Sequence, residues 1–252
     1  MITVFIIHYF YRLSIVFLNF FVDKKIVLVD NTIVILLGGE ILYSRNISNS
    51  VIKRLPRYYR FLGELKSEGM TRISSKELSN KMGLTASQIR QDLNCFGGFG
   101  QQGYGYNIEL LQGEIGRILG LDTPKRAILV GVGNLGRAVA LHVNFESKGF
   151  QLIGAFDKRE ALVGQILRNM PIRHISSLDE FCRENLPTAA ILCIPKDAAE
   201  TVTEQLIKLG VKGFLNFSHY DLAMKHKGIA VENVHFGDRL MTLSYNIDNL
   251  EN

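Results

Sequence analysis

The feature that most constrains this chain is a glycine-rich turn between an apolar run and an amphipathic run, in the stretch AILVGVGNLGRAVALHVNF at residues 127–145. Gly131, Gly133 and Gly136 have the G-x-G-x-x-G spacing, and a second apolar run ends at Asp157, 21 residues after Gly136. In a strand-turn-helix unit these glycines allow a tight turn, the approach of backbone N–H groups to a pyrophosphate, and close packing of helix on strand. The spacing therefore predicts a dinucleotide-binding Rossmann unit. Its predicted cofactor residues are Gly131, Val132, Gly133, Asn134, Leu135, Gly136 and Asp157.

The acid at the end of the second strand bears on which dinucleotide is bound. A carboxylate at this place accepts hydrogen bonds from the adenosine ribose hydroxyls and repels a 2′-phosphate, so Asp157 favours NAD+ and NADH over their phosphorylated forms. Lys158 and Arg159 follow directly, and either cation could instead meet a phosphate. The sequence leaves this second possibility open.

A basic region precedes the glycine turn. Residues 45–93 hold ten Lys or Arg against four Asp or Glu, a local charge of +6 in a chain with a net charge of +5, which favours an anionic partner. Ser74 with Glu77, and Thr85 with Gln88, have the capping-box spacing, which predicts two short helices joined by a tight turn. The glycine- and aromatic-rich FGQQGYGYN that follows predicts a β-hairpin. We interpret the region as a winged helix-turn-helix that binds double-stranded DNA; a small helical lobe with solvated charges is the alternative.

In such a module the second helix enters the major groove, and the exposed side chains near its start read the bases. The predicted base-reading residues are Ser87, Gln88, Arg90, Gln91 and Asn94. Arg54 and Arg57 are predicted to contact phosphates. Gln102 and Tyr104 lie on the hairpin, where a wing would contact the DNA backbone or minor groove. Pro56 is expected to open the main helix of this region at its first turn.

Beyond the basic region, short apolar runs alternate with helical patterns, as in FQLIGAFD, SSLDEFCREN, AAILCIP and DAAETVTEQLIKLG. This alternation predicts an α/β fold with a Rossmann-like doubly wound parallel sheet. The last stretch has Phe236, Leu240, Leu243 and Ile247 on one face, which we expect a partner subunit to cover. The predicted segments are an extension at 1–46, a winged helix domain at 47–122, a Rossmann NAD(H)-binding domain at 123–234 and a C-terminal dimerisation helix at 235–252.

The sequence offers little for catalysis. Hydride transfer to a small substrate needs a positioned acid or base, and His219 near the end of a strand is the only passable candidate. Cys193 is interpreted as a buried strand residue, and no cysteine or histidine spacing indicates a metal site. We therefore expect a protein that is not an enzyme. An NAD-dependent oxidoreductase or a CoA-binding ligase-like subunit is the alternative.

The first 46 residues are set apart by their apolar composition. MITVFIIHYFYRLSIVFLNFFV is apolar enough for a membrane span, but His8 and Arg12 lie within it, so we expect no membrane association. LGGE at residues 37–40 is what a purine-rich ribosome-binding site encodes when translated, so we expect translation to start near Leu42; otherwise residues 1–46 are a disordered extension. The three cysteines are odd in number and widely spaced, which is typical of a reducing cytoplasm.

The stretches RLPRYYRFLGEL, ISSKELSNKMGLTASQIRQDLNCFGGFGQQGYGYN, GVGNLGRA, GAFD and GVKGFLNF lie in the same order across both predicted domains. On these stretches the chain, from about Val51 to Leu243, resembles the Rex family of redox-sensing transcriptional repressors. The resemblance implies a homodimer whose winged helix binds operator DNA and whose Rossmann domain senses the NADH/NAD+ ratio, with NADH binding releasing the DNA. It also implies that the C-terminal helix swaps onto the partner's Rossmann domain.

Further positions come from the resemblance alone. Pro195 and Asn216 match strand-end positions near the nicotinamide, and Phe236 matches an apolar residue contributed across the dimer. Arg90 and Asp92 match the recognition helix of the family, but Gln91 stands where the family commonly has Lys. One DNA contact is therefore expected to be weaker or differently specific.

The resemblance also implies a switch, in which an Asp just before the Phe exchanges between a Tyr of the glycine-turn helix and an Arg of the winged helix. Here the Arg is Arg60, the Tyr position is His142 (or Val143 in a shifted alignment), and the Asp position is His235. A histidine cannot be the anionic partner of Arg60. Either Asp238 replaces it, or the coupling is altered and pH-dependent, or closure of the Rossmann domain alone moves the DNA-binding units. We expect a weaker response to NADH than in a family member with the intact trio.

Overall fold

The computed structural model describes residues 47–96, Gly100 and residues 104–250 with their side chains. Gln101 and the strand segments 17–19, 24–29, 32–37 and 40–44 are described by their backbone. The chain divides into two compact units, Met1–Leu119 and Gly120–Asn252. The sequence predicts the boundary between residues 122 and 123.

The first described strands form an antiparallel sheet in chain order, rich in β-branched and aliphatic residues that favour strands. They are β1 (Phe17–Asn19), β2 (Lys24–Val29), β3 (Thr32–Leu37) and β4 (Glu40–Ser44). Leu42, near which translation is expected to start, lies in β4, and the structure tests neither that start nor the other expectations for residues 1–46.

The rest of the first unit is the predicted winged helix. Its elements are α1 (Asn49–Ser67), β5 (Arg72–Ile73), α2 (Ser75–Met82), α3 (Ala86–Asn94), β6 (Gly100–Gln101), β7 (Gly105–Asn107) and α4 (Ile108–Ile118). The three strands pair antiparallel in the order β5-β7-β6, so β6 and β7 form the wing hairpin. Leu55, Tyr58 and Leu62 of α1 are fully buried and form the core with Ile89 of α3.

The turn between α2 and α3 follows its capping signals. Ser74 Oγ accepts from the Glu77 N–H at 3.1 Å and Glu77 Oε2 accepts from the Ser74 N–H at 2.8 Å, which completes one capping box. Gly83 ends α2 in the left-handed region at φ +63°. Thr85 caps the Gln88 N–H at 3.1 Å, but the Gln88 side chain bonds elsewhere. The predicted helix-turn-helix is confirmed.

The prediction that Pro56 opens the main helix is wrong. Ser48 is the N-cap of α1, and Pro56 lies inside the helix, where it lacks the N–H that would bond to the carbonyl of Ile52. Val51 and Leu55, before the proline, are buried together with Tyr58 after it. This burial stabilises a continuous helix across the missing bond, because tertiary packing outweighs local propensity.

The second unit is a doubly wound sheet with helices on both faces, as predicted. Its strands are β8 (Lys125–Val130), β9 (Phe150–Asp157), β10 (Ile166–Leu167), β11 (Met170–His174), β12 (Ala189–Leu192), β13 (Gly213–Asn216) and β14 (Ala230–Asn233). Its helices are α5 (Asn134–His142), α6 (Leu178–Asn185), α7 (Lys196–Lys208), α8 (Leu222–Lys225) and α9 (Phe236–Asp248). The strand order is β10-β11-β9-β8-β12-β13-β14, and every neighbouring pair except β10 with β11 is parallel.

Each face of this sheet carries its own apolar core. Ile128 and Val130 of β8 pack into one core, and Leu129 between them packs into the other, because successive side chains of a strand point to opposite faces. A strand that is apolar throughout is therefore required at the centre of the sheet.

Helix α9 differs from the other helices of this unit in having no buried residue. Its exposed apolar side chains are Phe236, Leu240, Met241, Leu243, Tyr245 and Ile247. Among the residues that the structure describes, no helix combines the length and the apolar character needed to cross a bilayer.

Candidate dinucleotide site and nucleic-acid interface

The glycine turn lies at the point where the sheet changes direction. After β8 the chain adds β9 on one side of it and later β12 on the other, so the loops that follow β8 and β12 diverge. A crevice at such a switch point is where open α/β sheets bind their ligands. Gly131 has φ +94°, and a Cβ there would strike the carbonyl oxygen of Cys193 in the loop after β12. The two loops are thus in backbone contact at the base of the crevice.

The other two glycines fulfil different requirements. A Cβ on Gly136 would strike the carbonyl oxygen of Gly131, so the third glycine lets α5 pack directly on the turn. A Cβ on Gly133 would meet nothing nearer than Arg159 Nη2 at 3.8 Å, so the space over the second glycine is open. Gly133 is also the N-cap of α5 and has no side chain to satisfy the first N–H groups of that helix. Exposed N–H groups beside an open backbone fit a pyrophosphate.

Asp157 ties the end of β9 to this turn. Its carboxylate is 5% exposed, and Oδ2 accepts from the Val132 N–H at 2.7 Å and from Arg159 Nη2 at 3.0 Å. Oδ1 accepts from the Arg159 N–H at 2.9 Å and from Arg159 Nε at 3.0 Å. Burial alone would raise the pKa of Asp157, but these hydrogen bonds and the charge of Arg159 outweigh it and lower the pKa to about 2. The acid is ionised and already holds four donors.

The remaining predicted cofactor residues differ in accessibility. Asn134 and Leu135 are exposed at the start of α5, Val132 is buried, and Pro195 is exposed where α7 begins. Phe236 is 61% exposed, with its ring centroid 6.4 Å from that of Phe217.

Asn216 has no exposed surface and holds a loop together. Its amide nitrogen donates to the Tyr220 carbonyl at 2.9 Å and to Asn233 Oδ1 at 2.8 Å. Its amide oxygen accepts from the Ser218 N–H at 3.0 Å. As described, Asn216 orders the loop after β13 rather than lining the crevice.

The residues considered for catalysis have other surroundings. Burial raises the pKa of the Cys193 thiol to about 11, which disfavours the nucleophilic thiolate. His219 is exposed, with its ring centroid 5.6 Å from that of His235. Within the described part of the chain, no group of His, Cys, Asp or Glu could hold a metal ion.

The first unit presents α3 as a candidate DNA-reading helix. Ser87, Arg90, Gln91 and Asn94 are exposed along it. Arg90 Nη1 donates to Ser75 Oγ at 3.1 Å at the start of α2. Tyr104 is 70% exposed on the wing, with the Arg72 guanidinium 6.0 Å from its ring centroid. Gln102 lies outside the described residues.

A buried ionic network that sequence reasoning missed holds α3 against α1. Asp92 is 1% exposed and accepts from Arg54 Nε at 2.6 Å and Arg54 Nη2 at 2.7 Å. Tyr58 Oη donates to the same carboxylate at 2.9 Å, and Gln88 Nε2 donates at 2.7 Å. Burial opposes the ionisation of Asp92, yet these hydrogen bonds and the charge of Arg54 lower its pKa. Arg54 and Gln88, predicted to contact DNA, are thus partly buried and donate their hydrogen bonds to Asp92.

One signal could have indicated this network. Asp92 lies between Ile89 and Leu93 on the apolar side of α3, where an unpaired acid would be costly, so a cationic partner on a neighbouring element was required. Arg57 also has an internal partner, because its Nη2 donates to the carbonyl of Met82.

The predicted switch residues have local partners. Arg60 Nε lies 3.9 Å from Glu64 Oε1 one turn along α1, and both side chains are exposed. His142 is exposed at the end of α5. His235 Nδ1 lies 3.4 Å from Asp238 Oδ2, and its Nε2 lies 3.3 Å from the Ser218 carbonyl oxygen. Asp238 is therefore engaged by a histidine of its own segment.

A winged helix-turn-helix and a Rossmann sheet with an open glycine turn define a DNA-binding protein with a dinucleotide domain. Comparison with known families and proteins agrees. The family "Putative DNA-binding protein N-terminus" matches residues 46–94, and the family "CoA binding domain" matches residues 122–220. The chain belongs to the Rex family of redox-sensing transcriptional repressors.

The relatives match over most of their length. The redox-sensing transcriptional repressor Rex of Clostridioides difficile (strain 630) is 50% identical over 80% of this chain and 96% of that protein. That of Clostridium kluyveri is 48% identical over 82% of this chain and 98% of that protein. Neither an oxidoreductase nor a CoA-binding ligase-like subunit is favoured by these relatives.

Two crystal structures show the same architecture. RSP in complex with β-NAD+ and operator DNA has a TM-score of 0.76 and 47% identity over 82% of this chain and 95% of that chain. RSP in complex with β-NADH has a TM-score of 0.75 and 44% identity over 82% of this chain and 97% of that chain. RSP is a Rex-family repressor.

Proposed function

We propose that this chain is a transcriptional repressor that binds operator DNA as a homodimer and senses the NADH/NAD+ ratio, NADH binding releasing the DNA. One observation supports the proposal most directly. A single chain of the Rex family has both an exposed candidate recognition helix, α3, and an open glycine turn. Its cofactor is then a signal rather than a reactant, and the protein is a cytoplasmic regulator rather than an enzyme.

The DNA-binding role falls on the exposed face of α3 and on the wing. Arg90 suits a guanine edge and Gln91 an adenine edge, because each side chain can make a bidentate contact there. Ser87 and Asn94 flank them on the same helix. Arg57 contacts the DNA phosphates. The wing residues Gln102 and Tyr104 contact the DNA backbone or the minor groove. Arg54 and Gln88 support this face by holding Asp92, so their effect on DNA is through the position of α3.

The cofactor role falls on the glycine turn. The backbone N–H groups from Gly133 to Gly136 would bind the pyrophosphate of NADH or NAD+, with Asn134 and Leu135 at the helix start, and Val132 would hold the turn to Asp157. Asp157 would face the adenosine ribose, and Pro195 lies at the other wall of the switch-point crevice. When bound, the nicotinamide supplies the redox state that the protein reports. The chain's own task is to hold the cofactor and to change its affinity for DNA accordingly.

The exposed apolar face of α9 supports the proposed homodimer. A single helix that exposes apolar residues from Phe236 to Ile247 is costly in water and is covered when two chains associate. In the proposed dimer Phe236 reaches the partner's nicotinamide pocket. The proposed segments are those of the sequence, with a winged helix domain at 47–122, a Rossmann domain at 123–234 and a dimerisation helix at 235–252.

The switch is proposed to be weaker than in a family member with the intact trio. Arg60 has no acid at the usual position, since His235 stands there, and Asp238 would have to leave His235 to reach it. His142 cannot supply the hydroxyl of a tyrosine. Operator affinity titrated with NADH at pH 6 and at pH 8 tests whether these two histidines take part in the switch. A full release that is the same at both pH values would argue against a role for His235.

A gel-shift experiment tests the proposed function. An operator is selected from a random pool of duplex DNA with the NAD+-loaded protein, and its binding is then compared with NAD+ and with NADH. We expect a sequence-specific shift that NADH weakens and that falls steeply with salt. NADH consumption with a panel of carbonyl compounds is followed in parallel. Turnover without a DNA shift would favour the oxidoreductase instead.

A further inference from the structure

Arg159 stands at the mouth of the glycine crevice and has no part in the function proposed above. Its side chain is 53% exposed, and its Nε and Nη2 donate to both carboxylate oxygens of Asp157 at 3.0 Å. Its Nη2 also lies 3.8 Å from the point where a Cβ of Gly133 would stand. One guanidinium therefore lies between the acid of the adenosine site and the second glycine of the turn.

This contact changes what Asp157 can do to an incoming nucleotide. An acid at the end of this strand excludes a 2′-phosphate by its negative charge and selects a ribose hydroxyl by its free acceptor positions. Here the charge is paired, and each oxygen already accepts two hydrogen bonds. Residues 157–160 contain two acids and two bases, a net charge of zero, so the segment does not repel a phosphate as an unpaired acid would.

Arg159 can reach such a phosphate while it keeps its pair with Asp157. Its Nε and Nη2 donate to the carboxylate, and its side chain is 53% exposed, so its Nη1, which makes no hydrogen bond among the described residues, is left for a phosphate oxygen. A guanidinium offers five N–H donors in a planar fork and binds phosphate oxygens in pairs. The ion pair with Asp157 can therefore persist while Arg159 binds a phosphate.

We propose that Arg159 sets the adenosine selectivity of this site, and that it allows the chain to bind NADPH as well as NADH. It does so by neutralising Asp157 and by donating hydrogen bonds to the 2′-phosphate. This inference rests on the proposed function, because it assumes that the glycine turn binds a nicotinamide dinucleotide.

Direct binding of the two reduced nucleotides tests the inference, with nicotinamide fluorescence as the readout. The full-length wild type is compared with Arg159→Ala and with Lys158→Ala, which removes the same charge from the adjacent exposed position. We expect the wild type to bind NADPH within about tenfold of NADH, and Arg159→Ala to weaken NADPH by about tenfold with NADH changed less than about threefold. Lys158→Ala should shift the two nucleotides alike, by less than about threefold. Arg159→Lys should fall between wild type and Arg159→Ala, because it keeps the charge and loses the fork.

The contrary outcomes are distinct. A wild type that binds NADH but rejects NADPH by more than about a hundredfold would overturn the inference and leave the proposed function intact. So would an Arg159→Ala protein that melts like wild type and keeps the wild-type ratio of the two affinities. A wild type that binds neither nucleotide would overturn both.

Discussion

At the scale of single residues, two buried acids carry much of the local structure. Asp92 fixes the recognition helix, and Asp157 fixes the glycine turn. Each is ionised because hydrogen bonds and a neighbouring arginine outweigh the cost of burial. Removing either acid leaves an arginine and further donors without their acceptor, which is more costly than the net value of the pair.

For Asp92 the expected effect is a loss of stability confined to the winged helix. Asp92→Ala leaves Tyr58 Oη buried and Arg54 unpaired, and since Arg54 is 28% exposed we expect a loss of about 2 to 3 kcal/mol. Hydrogen exchange of the α1 and α3 amides measures it. Glu109→Ala is the matched control, because it breaks the Lys66–Glu109 pair, whose side chains are 50% and 74% exposed, and its loss should be much smaller than that of Asp92→Ala. Equal losses of stability in the two variants would show that the buried Asp92 network contributes no more to stability than an exposed ion pair does.

For Asp157 the effect depends on pH. Its pKa is lowered from 3.8 to about 2 in the folded protein, so its contribution to stability is complete above about pH 4 and is lost as the pH falls through 2. Denaturation of the wild type and of Asp157→Asn between pH 5 and pH 2 should show the wild type losing up to about 2 kcal/mol more. Parallel pH profiles for the two proteins would contradict the assignment.

At the scale of elements, two glycines of the turn between β8 and α5 have different roles, since Gly136 serves packing and Gly133 serves cofactor binding. Gly136→Ala places a methyl group against the Gly131 carbonyl and should cost about 1 to 3 kcal/mol of stability. Gly133→Ala meets nothing within 3.8 Å and should leave stability within about 0.5 kcal/mol of wild type. Gly133→Ala should nevertheless weaken the binding of NADH, because the methyl group occupies the space that the pyrophosphate needs. Thermal unfolding and NADH titration of both variants test the distinction, and a Gly133→Ala protein with wild-type affinity would argue against the proposed cradle.

The elements were also what the sequence predicted best. The capping box of Ser74, the N-cap of Thr85, Gly83, the glycine turn and the strand ending at Asp157 depend on residues a few positions apart, and each was found where the pattern indicates; of the second predicted capping box only the Thr85 half is formed. The sequence did not reveal contacts between distant residues. Arg54 meets Asp92 across 38 positions, and Asn216 is buried by a loop whose path no local pattern specifies. The prediction for Pro56 was wrong for the same reason, because the packing of α1 against the core outweighed the local preference of proline for a helix start.

At the scale of the whole molecule, α9 is expected to join two chains. Leu240 and Leu243 are 65% and 52% exposed on it, so replacing both with Asp should abolish the dimer without unfolding the chain. Analytical ultracentrifugation measures the oligomeric state, and circular dichroism the fold. Lys225→Asp, on the separate helix α8, is the control for added negative charge and should stay dimeric. A double variant that remains a dimer would place the interface elsewhere.

In the proposed repressor, dinucleotide binding at the glycine turn is coupled to operator binding by α3. Coupling between two ligands is reciprocal. NADH must therefore lower the affinity for the operator by the same factor by which the operator lowers the affinity for NADH. The decisive measurement is the anisotropy of a labelled operator, titrated with protein at fixed salt in the presence of saturating NADH or NAD+. We expect an operator Kd at least about fivefold higher with NADH than with NAD+, and a loss of NADH affinity relative to NAD+ affinity by the same factor on the operator-bound protein. The same operator Kd with NADH and with NAD+ would contradict the proposed coupling.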